Sequence, residues 1–318
     1  MKVLVTGGFG YLGGRFSRYI ASQKEYQAIV GTRNVTHTPS EPSKFKIVQT
    51  NWSSASALAE ICMNVDAVVH MAGMNAQECA ADPINAIEIN AVATARLMAA
   101  AVSSGVKRFI YLSTAHVYGS PLEGIITEES CPRSLHPYAT SHRAGEDVVR
   151  FAHQRGDIDG IVVRLSNAFG APIHEKVNCW MLLVNDLCQQ AAVNDRMVLH
   201  STGMRRRDFI SITDVCSAIT HLLELPTEKL INGLFNVGGD WAPTILEMTN
   251  IVAERIHHLT GSRPEVITKQ GKPGLNVKPL NYNIDKLIST GFKLMGEQQV
   301  YDELDALIRF SIKDKVVS

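Results

Sequence analysis

Near its start the chain carries Thr6-Gly7-Gly8-Phe9-Gly10-Tyr11-Leu12-Gly13, a GxxGxxG spacing set between a short apolar run and an amphipathic one. Few folds use such a segment. A glycine at 7 permits a tight turn out of a strand, one at 10 lets backbone approach a pyrophosphate, and one at 13 lets helix and strand pack closely. The first N–H groups of the following helix then face the anion. A lone glycine pattern is a weak signal. Here it lies between a predicted strand, Lys2–Thr6, and a predicted helix, Tyr11–Gln23, where a dinucleotide-binding turn needs it. Gly7, Phe9, Gly10, Tyr11, Leu12 and Gly13 are therefore expected to line a dinucleotide site.

The pattern continues. Lys2–Thr6, Gln27–Thr32, Lys46–Gln49, Asp66–His70, Arg108–Ser113 and Gly160–Leu165 have the length and composition of buried strands. Helical periodicity covers Tyr11–Gln23, Ala86–Ser104 (ending at Gly105) and Tyr138–Gln154. Alternating strands and helices predict an α/β fold, a Rossmann-type doubly wound parallel sheet. Beyond residue 165 the loops lengthen and helices are expected at Val177–Asn194, Thr213–Leu223, Thr244–Leu259 and Gly296–Phe310. Residues 1–165 are expected to form the dinucleotide-binding domain, and 166–318 mainly a smaller substrate-binding lobe with some segments returning to the sheet.

Composition excludes several classes. The chain has 318 residues, 45% hydrophobic, enough for a large core; 31 basic and 31 acidic side chains balance, so no nucleic-acid partner is implied. No secretory h-region follows MKVLVTGG and no apolar run reaches membrane-spanning length, so a cytoplasmic location without membrane association is expected. The six cysteines form no CxxC pair, and neither a metal site nor a disulfide framework is expected. The second strand ends Val30-Gly31-Thr32-Arg33-Asn34. No carboxylate stands there to hold the adenosine ribose, and Arg33 could clamp a 2′-phosphate, which favours NADP(H) while leaving NAD(H) possible.

From here the sequence resembles the extended short-chain dehydrogenase/reductase family, which holds nucleotide-sugar epimerases, 4,6-dehydratases and 4-ketoreductases. Asn51-Trp52 falls beside the expected adenine position, without the family's acid. His70-Met71-Ala72-Gly73 resembles H-x-A-[AG], Asn90-Ala91-Val92-Ala93-Thr94 resembles N-V-x-G-T, and Ser113 to Gly119 resembles S-[ST]-x-x-V-Y-G. Pro137-Tyr138-Ala139-Thr140-Ser141-His142 resembles P-Y-x-x-S-K. Arg164 to Gly170, Arg207-Asp208-Phe209-Ile210 with Asp214-Val215, Asn236-Val237-Gly238 and Asp285-Lys286-Leu287 follow further family patterns. Lys272-Pro273-Gly274-Leu275 resembles R-P-G-D with both charged ends changed.

The resemblance implies that Tyr138 exchanges a proton with a sugar oxygen, that Thr114 bonds the same oxygen, and that Met71, Ala72, Gly73, Asn90, Asn51 and Trp52 lie along the cofactor. It implies that Arg207 grips a sugar-nucleotide diphosphate, with Asn167 and Asn178 near phosphate or base, and that the chain pairs as a homodimer. The family's lysine, four residues after the tyrosine, is His142 here. Histidine, with a reference pKa of ~6.5, is mostly neutral at about pH 7 and does little to lower the tyrosine's pKa of ~10. Tyrosinate is needed to oxidise an alcohol and neutral tyrosine to reduce a ketone. A 4-ketoreductase acting on a nucleotide-linked sugar is thus the expected function. A 4-epimerase with bound NAD and a catalytically impaired, dinucleotide-binding regulatory protein are the alternatives. Ala115 removes the acid of the dehydratases' Asp-Glu pair, and His116 stands where their glutamate would be, facing substrate.

Overall fold

The computed structural model describes residues 1–35, 45–269 and 278–317, so the Lys272–Leu275 motif lies outside the described residues. Seven parallel strands form the central sheet: β1 (Lys2–Thr6), β2 (Gln27–Thr32), β3 (Lys46–Gln49), β4 (Ala67–His70), β5 (Arg108–Thr114), β6 (Asp159–Leu165) and β7 (Leu234–Val237). Their spatial order is β7-β6-β5-β4-β1-β2-β3, the doubly wound Rossmann arrangement. The six expected strands are present, with ends shifted by at most one residue. β7 is additional: it comes from the C-terminal half and pairs in parallel with β6.

Each strand is apolar on both sides because helices cover both faces. Along β1, Val3 and Val5 join one cluster with Phe16 and Ile20 of helix α1 (Tyr11–Ala21) and Val215, Ile219 and Leu222 of helix Ile212–Glu224. Leu4, between them, points to the other face. There it packs with Leu97 and Met98 of helix α2 (Pro83–Ser103) and Val149 of helix α3 (Pro137–Gln154). A third cluster, formed by helices Leu183–Asn194, Ile245–Thr260 and Glu297–Val317, is the core of the smaller lobe.

Two sequence expectations need correction. The helix predicted over Val177–Asn194 begins only at Leu183, so Asn178 and Trp180 sit in the preceding loop. There Trp180 packs against the smaller lobe's core with Phe310 (ring centroids 6.2 Å). Finally, α2 does reach the length and mean hydropathy (1.3) of a membrane span, although half of that window is buried within the protein. Gly105, with φ +74°, follows α2 in the left-handed conformation suited to a helix end. The six cysteines are free; all but Cys131 are buried.

Order reverses between β1 and β4, and a doubly wound sheet opens a crevice at the C-terminal strand ends there. The glycine loop leaves β1, and Met71-Ala72-Gly73 leaves β4, on opposite sides of that point.

Candidate active site

The glycine loop has the expected shape. Gly7 has φ +66°, and a Cβ on it would stand 2.8 Å from the backbone of Ala72; one on Gly13 would stand 2.2 Å from the Gly7 carbonyl. Gly10 caps α1 with extended backbone and no side-chain cap, so the helix's first N–H groups have no side-chain acceptor. These positions fit a pyrophosphate, with an open helix start over side-chain-free backbone. The side chains between them face elsewhere. Phe9 meets Phe45 (6.0 Å), Leu12 packs on the core, and the Tyr11 hydroxyl lies within hydrogen-bond distance of two acceptors, the Gly170 carbonyl (3.0 Å) and Asn185 Oδ1 (3.2 Å). Tyr11 thus ties the loop to the smaller lobe. Arg15 adds a bidentate pair to Glu303 (2.6 and 2.9 Å) from the first turns of the same helix. Arg33 is exposed at the end of β2. Asn51 is exposed and caps its own turn through Ser53 N–H (3.1 Å), while Trp52 packs against His70 (5.6 Å).

Tyr138 stands at the start of α3, fixed by His136, whose Nδ1 accepts the Tyr138 N–H (3.2 Å). One turn on, His142 lies against it edge to face, ring centroids 4.7 Å apart. His116 also stands edge to face with it (6.1 Å). Thr114, at the end of β5, lies close enough to Tyr138 to favour its ionised form, and it caps the turn holding His116 (3.1 Å to its N–H). Gly73 completes the floor: a Cβ there would meet Asn90 Oδ1 at 3.1 Å and His142 Cε1 at 3.7 Å. Loop, tyrosine and histidine therefore form one continuous surface.

Electrostatically this surface is unusual for a proton-transfer site, since the groups about the tyrosine are neutral or cationic. Burial holds the His142 imidazole down at about 4, helped by nearby His116. Burial likewise lowers His116, with the charges of Arg207 and His136 adding to it, although the residue is partly open to solvent. Tyr138 is raised by burial, only partly offset by the nearby Thr114 hydroxyl. It is therefore the protonated phenol at neutral pH.

Arg207 is exposed and close enough to His116 to act on its charge. The neighbouring carboxylate does not pair with it: Asp208 is buried, accepts the Gly239 N–H (2.9 Å), and is pushed by burial up to about 7. Among the described residues no acid forms an ion pair with Arg207. Asn167 lies on the adjoining strand and donates to the Asp208 carbonyl (2.8 Å). Asn178 is exposed in its loop and makes no hydrogen bond to the other site residues.

Asn90 braces the site from within. A π turn, Glu88–Val92, opens α2 at this residue. Its Oδ1 accepts from Met74 N–H (2.9 Å) and its amide donates to Ser141 Oγ (3.0 Å), joining the loop after β4 to α3. Its side chain is thus satisfied by protein.

Sequence reasoning assigned no role to Tyr111, Gly145, Glu146 or Arg164. Glu146 is wholly buried and accepts from Ser113 Oγ (2.6 Å), Arg164 Nε (3.0 Å) and Arg164 Nη2 (2.6 Å). A signal for it existed. Positions 138, 142 and 146 share one face of α3, and a carboxylate on a buried face demands a cation.

Residues 3–238 match the model of the NAD dependent epimerase/dehydratase family. Among curated relatives, the low-salt glycan biosynthesis protein Agl12 of Haloferax volcanii is 23% identical over 99% of both chains. A dTDP-glucose 4,6-dehydratase of Actinoplanes sp. is 29% identical, covering 80% of this chain and 81% of that one. Among solved structures, UDP-N-acetylglucosamine 4-epimerase from Methanobrevibacter ruminantium has the same fold, with a TM-score of 0.81, 22% identity and 98% of both chains covered. With the family model spanning the glycine loop, Tyr138 and Arg207, the chain belongs to the NAD dependent epimerase/dehydratase family.

Proposed function

We propose that the protein is a reductase that converts a keto group of a nucleotide-linked sugar, most simply at C4, to an alcohol, with NADP(H) favoured over NAD(H). The observation that carries this reading is the charge state of the tyrosine's surroundings. His142 is buried and neutral where the family resemblance implies a lysine, and Tyr138 is held in its protonated form.

The glycine loop, Met71-Ala72-Gly73 and His142 would hold the dinucleotide. When bound, its reduced nicotinamide supplies the hydride. The protein's own part is proton delivery: the Tyr138 hydroxyl donates to the developing alkoxide, and Thr114 orients that oxygen and helps stabilise the phenolate left behind. Arg207, unpaired by any described acid, with Asn167 beside it, would hold the diphosphate. Dehydration is disfavoured because Ala115 and a His116 of lowered pKa replace an acidic pair. A 4-epimerase must run both directions, and the oxidative half needs a tyrosinate that this site makes scarce.

The direct test is His142→Lys. A cation against Tyr138 lowers the phenol's pKa. Oxidation of a nucleotide sugar at pH 7 should then rise about tenfold for each pH unit by which that pKa falls, while the alkaline limb of ketone reduction moves to lower pH. Fast oxidation by the unsubstituted protein, with no reduction of any keto-sugar, would refute the proposal.

Arg33 gives a second prediction. Arg33→Ala should weaken NADPH by roughly 10-fold, about the worth of a hydrogen bond to a charged group, and leave NADH nearly unchanged in fluorescence titrations. Equal losses for both cofactors would show that Arg33 does not read a 2′-phosphate.

A further inference from the structure

Tyr111 lies on β5, almost wholly buried, with its hydroxyl 2.9 Å from His142 Nδ1 and 3.1 Å from the Asn90 carbonyl. The niche exists because residue 145 is glycine: a Cβ there would stand 2.6 Å from the Tyr111 oxygen and 2.7 Å from the Asn90 carbonyl oxygen. A phenol has one hydrogen for these two contacts. The Asn90 carbonyl cannot donate. If the hydrogen pointed at His142, two buried oxygens would face each other at 3.1 Å with nothing between them. The arrangement that satisfies both contacts has Tyr111 donating to Asn90 and accepting from His142, so the imidazole proton is on Nδ1.

The rest of the row agrees. Thr94 Oγ1 donates to the same Asn90 carbonyl (2.8 Å), which leaves it to accept from His70 Nε2 (3.0 Å). His70 Nδ1 is then free to accept from the Thr6 hydroxyl (2.6 Å). From Thr6 at the foot of the glycine loop to His142 beside Tyr138, every buried contact is met by one consistent set of hydrogens. His142, being neutral, has no proton left for Nε2. Among the described residues no group hydrogen-bonds Nε2, and it is not among the side-chain nitrogens sealed from solvent without a partner.

We propose that Tyr111 is a positioning residue that locks His142 in its Nδ1–H tautomer, so that a bare Nε2 acceptor stands beside Tyr138 where a lysine would present a cationic donor. The ligand group this recognises is a hydroxyl donor, such as a ribose hydroxyl of the dinucleotide. With that hydroxyl's hydrogen directed to His142, it is not offered to Tyr138, and the tyrosine stays a donor toward substrate. This consequence rests on the reductase reading above; the tautomer itself does not.

The test is ¹⁵N NMR of the full-length protein labelled at histidine, without ligand, at pH 7, with His142 assigned by its loss in His142→Gln. The expected spectrum has a protonated Nδ1 and an unprotonated Nε2. Tyr111→Phe removes the acceptor, and the Nδ1–H signature should be lost in favour of Nε2–H. Gly145→Ala, which crowds the niche while keeping the phenol, should give the same change should Tyr111→Phe fail to fold. NADPH binding should weaken roughly 2- to 10-fold in either variant, the worth of one hydrogen bond. An Nε2–H tautomer in the unsubstituted protein, or one unchanged in both variants, overturns the assignment. If the tautomer changes as expected while no keto-sugar is reduced, the lock stands and the reductase reading falls.

Discussion

Tyr138→Phe is expected to slow ketone reduction by ~10²–10⁴-fold, the range typical of losing a positioned general acid. First, the substitution removes only an oxygen. The ring keeps its edge-to-face contacts with His142 and His116, and the His136 cap on the Tyr138 N–H is untouched. Second, the phenol is the group best placed to give a proton. Thr114 lies beside it, and the two neighbouring histidines are lowered by burial, so neither is a protonated reserve at neutral pH. Third, the glycine loop does not depend on the hydroxyl, so NADPH affinity should stay within about threefold, the scale of a weak hydrogen bond. The expected signature is therefore a collapse of kcat with binding retained. The pH profile gives an independent check. Because the tyrosine's pKa is raised, its donor form is present throughout the neutral range, and reduction by the unsubstituted protein should fall only in strong alkali. Turnover surviving in Tyr138→Phe would mean that the proton comes from elsewhere.

Much of this architecture could be read from residue order. The six strands and the glycine turn are written locally: short β-branched runs, turn glycines and 3.6-residue periodicity need no distant partner. What could not be read was set by contacts far apart in sequence. β7 is four residues in a region of changed rhythm, and it is a strand because β6 offers it an edge. The helix predicted from Val177 starts at Leu183, and its N-terminal residue Leu182 provides no side-chain cap, so nothing in the sequence marked the true start. Within the site, Tyr138, Thr114 and His142 came from motif spacing. Tyr111 looked like any strand aromatic, and its role appears only when Gly145, 34 positions later, opens the niche for its hydroxyl. Asn90 also came from a motif, as a residue along the cofactor that supports the site from its helix, but the segments that its amide joins, the loop after β4 and α3, are visible only in the folded chain.

The same helix face that carries the chemistry also carries the largest expected stability effect. Arg164→Ala should destabilise the fold by ~3–5 kcal/mol, the usual cost of leaving one member of a buried ion pair without its partner. Against a total of about 5–15 kcal/mol, that is enough to move a denaturation midpoint a long way. Glu146 and Arg164 are each at most 1% exposed, so water cannot replace what is removed. Ser113 would still donate to Glu146, and Arg143 lies 3.6 Å away, yet the latter is a third exposed and has its better partner in Asp147 (2.9 Å). The guanidinium also stacks over Tyr118 (4.7 Å), so truncation costs packing as well as charge. A control separates the two. Replacing both partners together, Glu146→Leu with Arg164→Met, removes the unpaired charge while keeping volume, and should recover most of the loss in urea unfolding. If the double variant were as unstable as Arg164→Ala, the pair's weight would lie in packing and in the Tyr118 stack. If it is stable, α3 needs only a filled face at 146 to hold Tyr138 and His142 in place, and the ion pair's part is to fix that helix against β6 in one register.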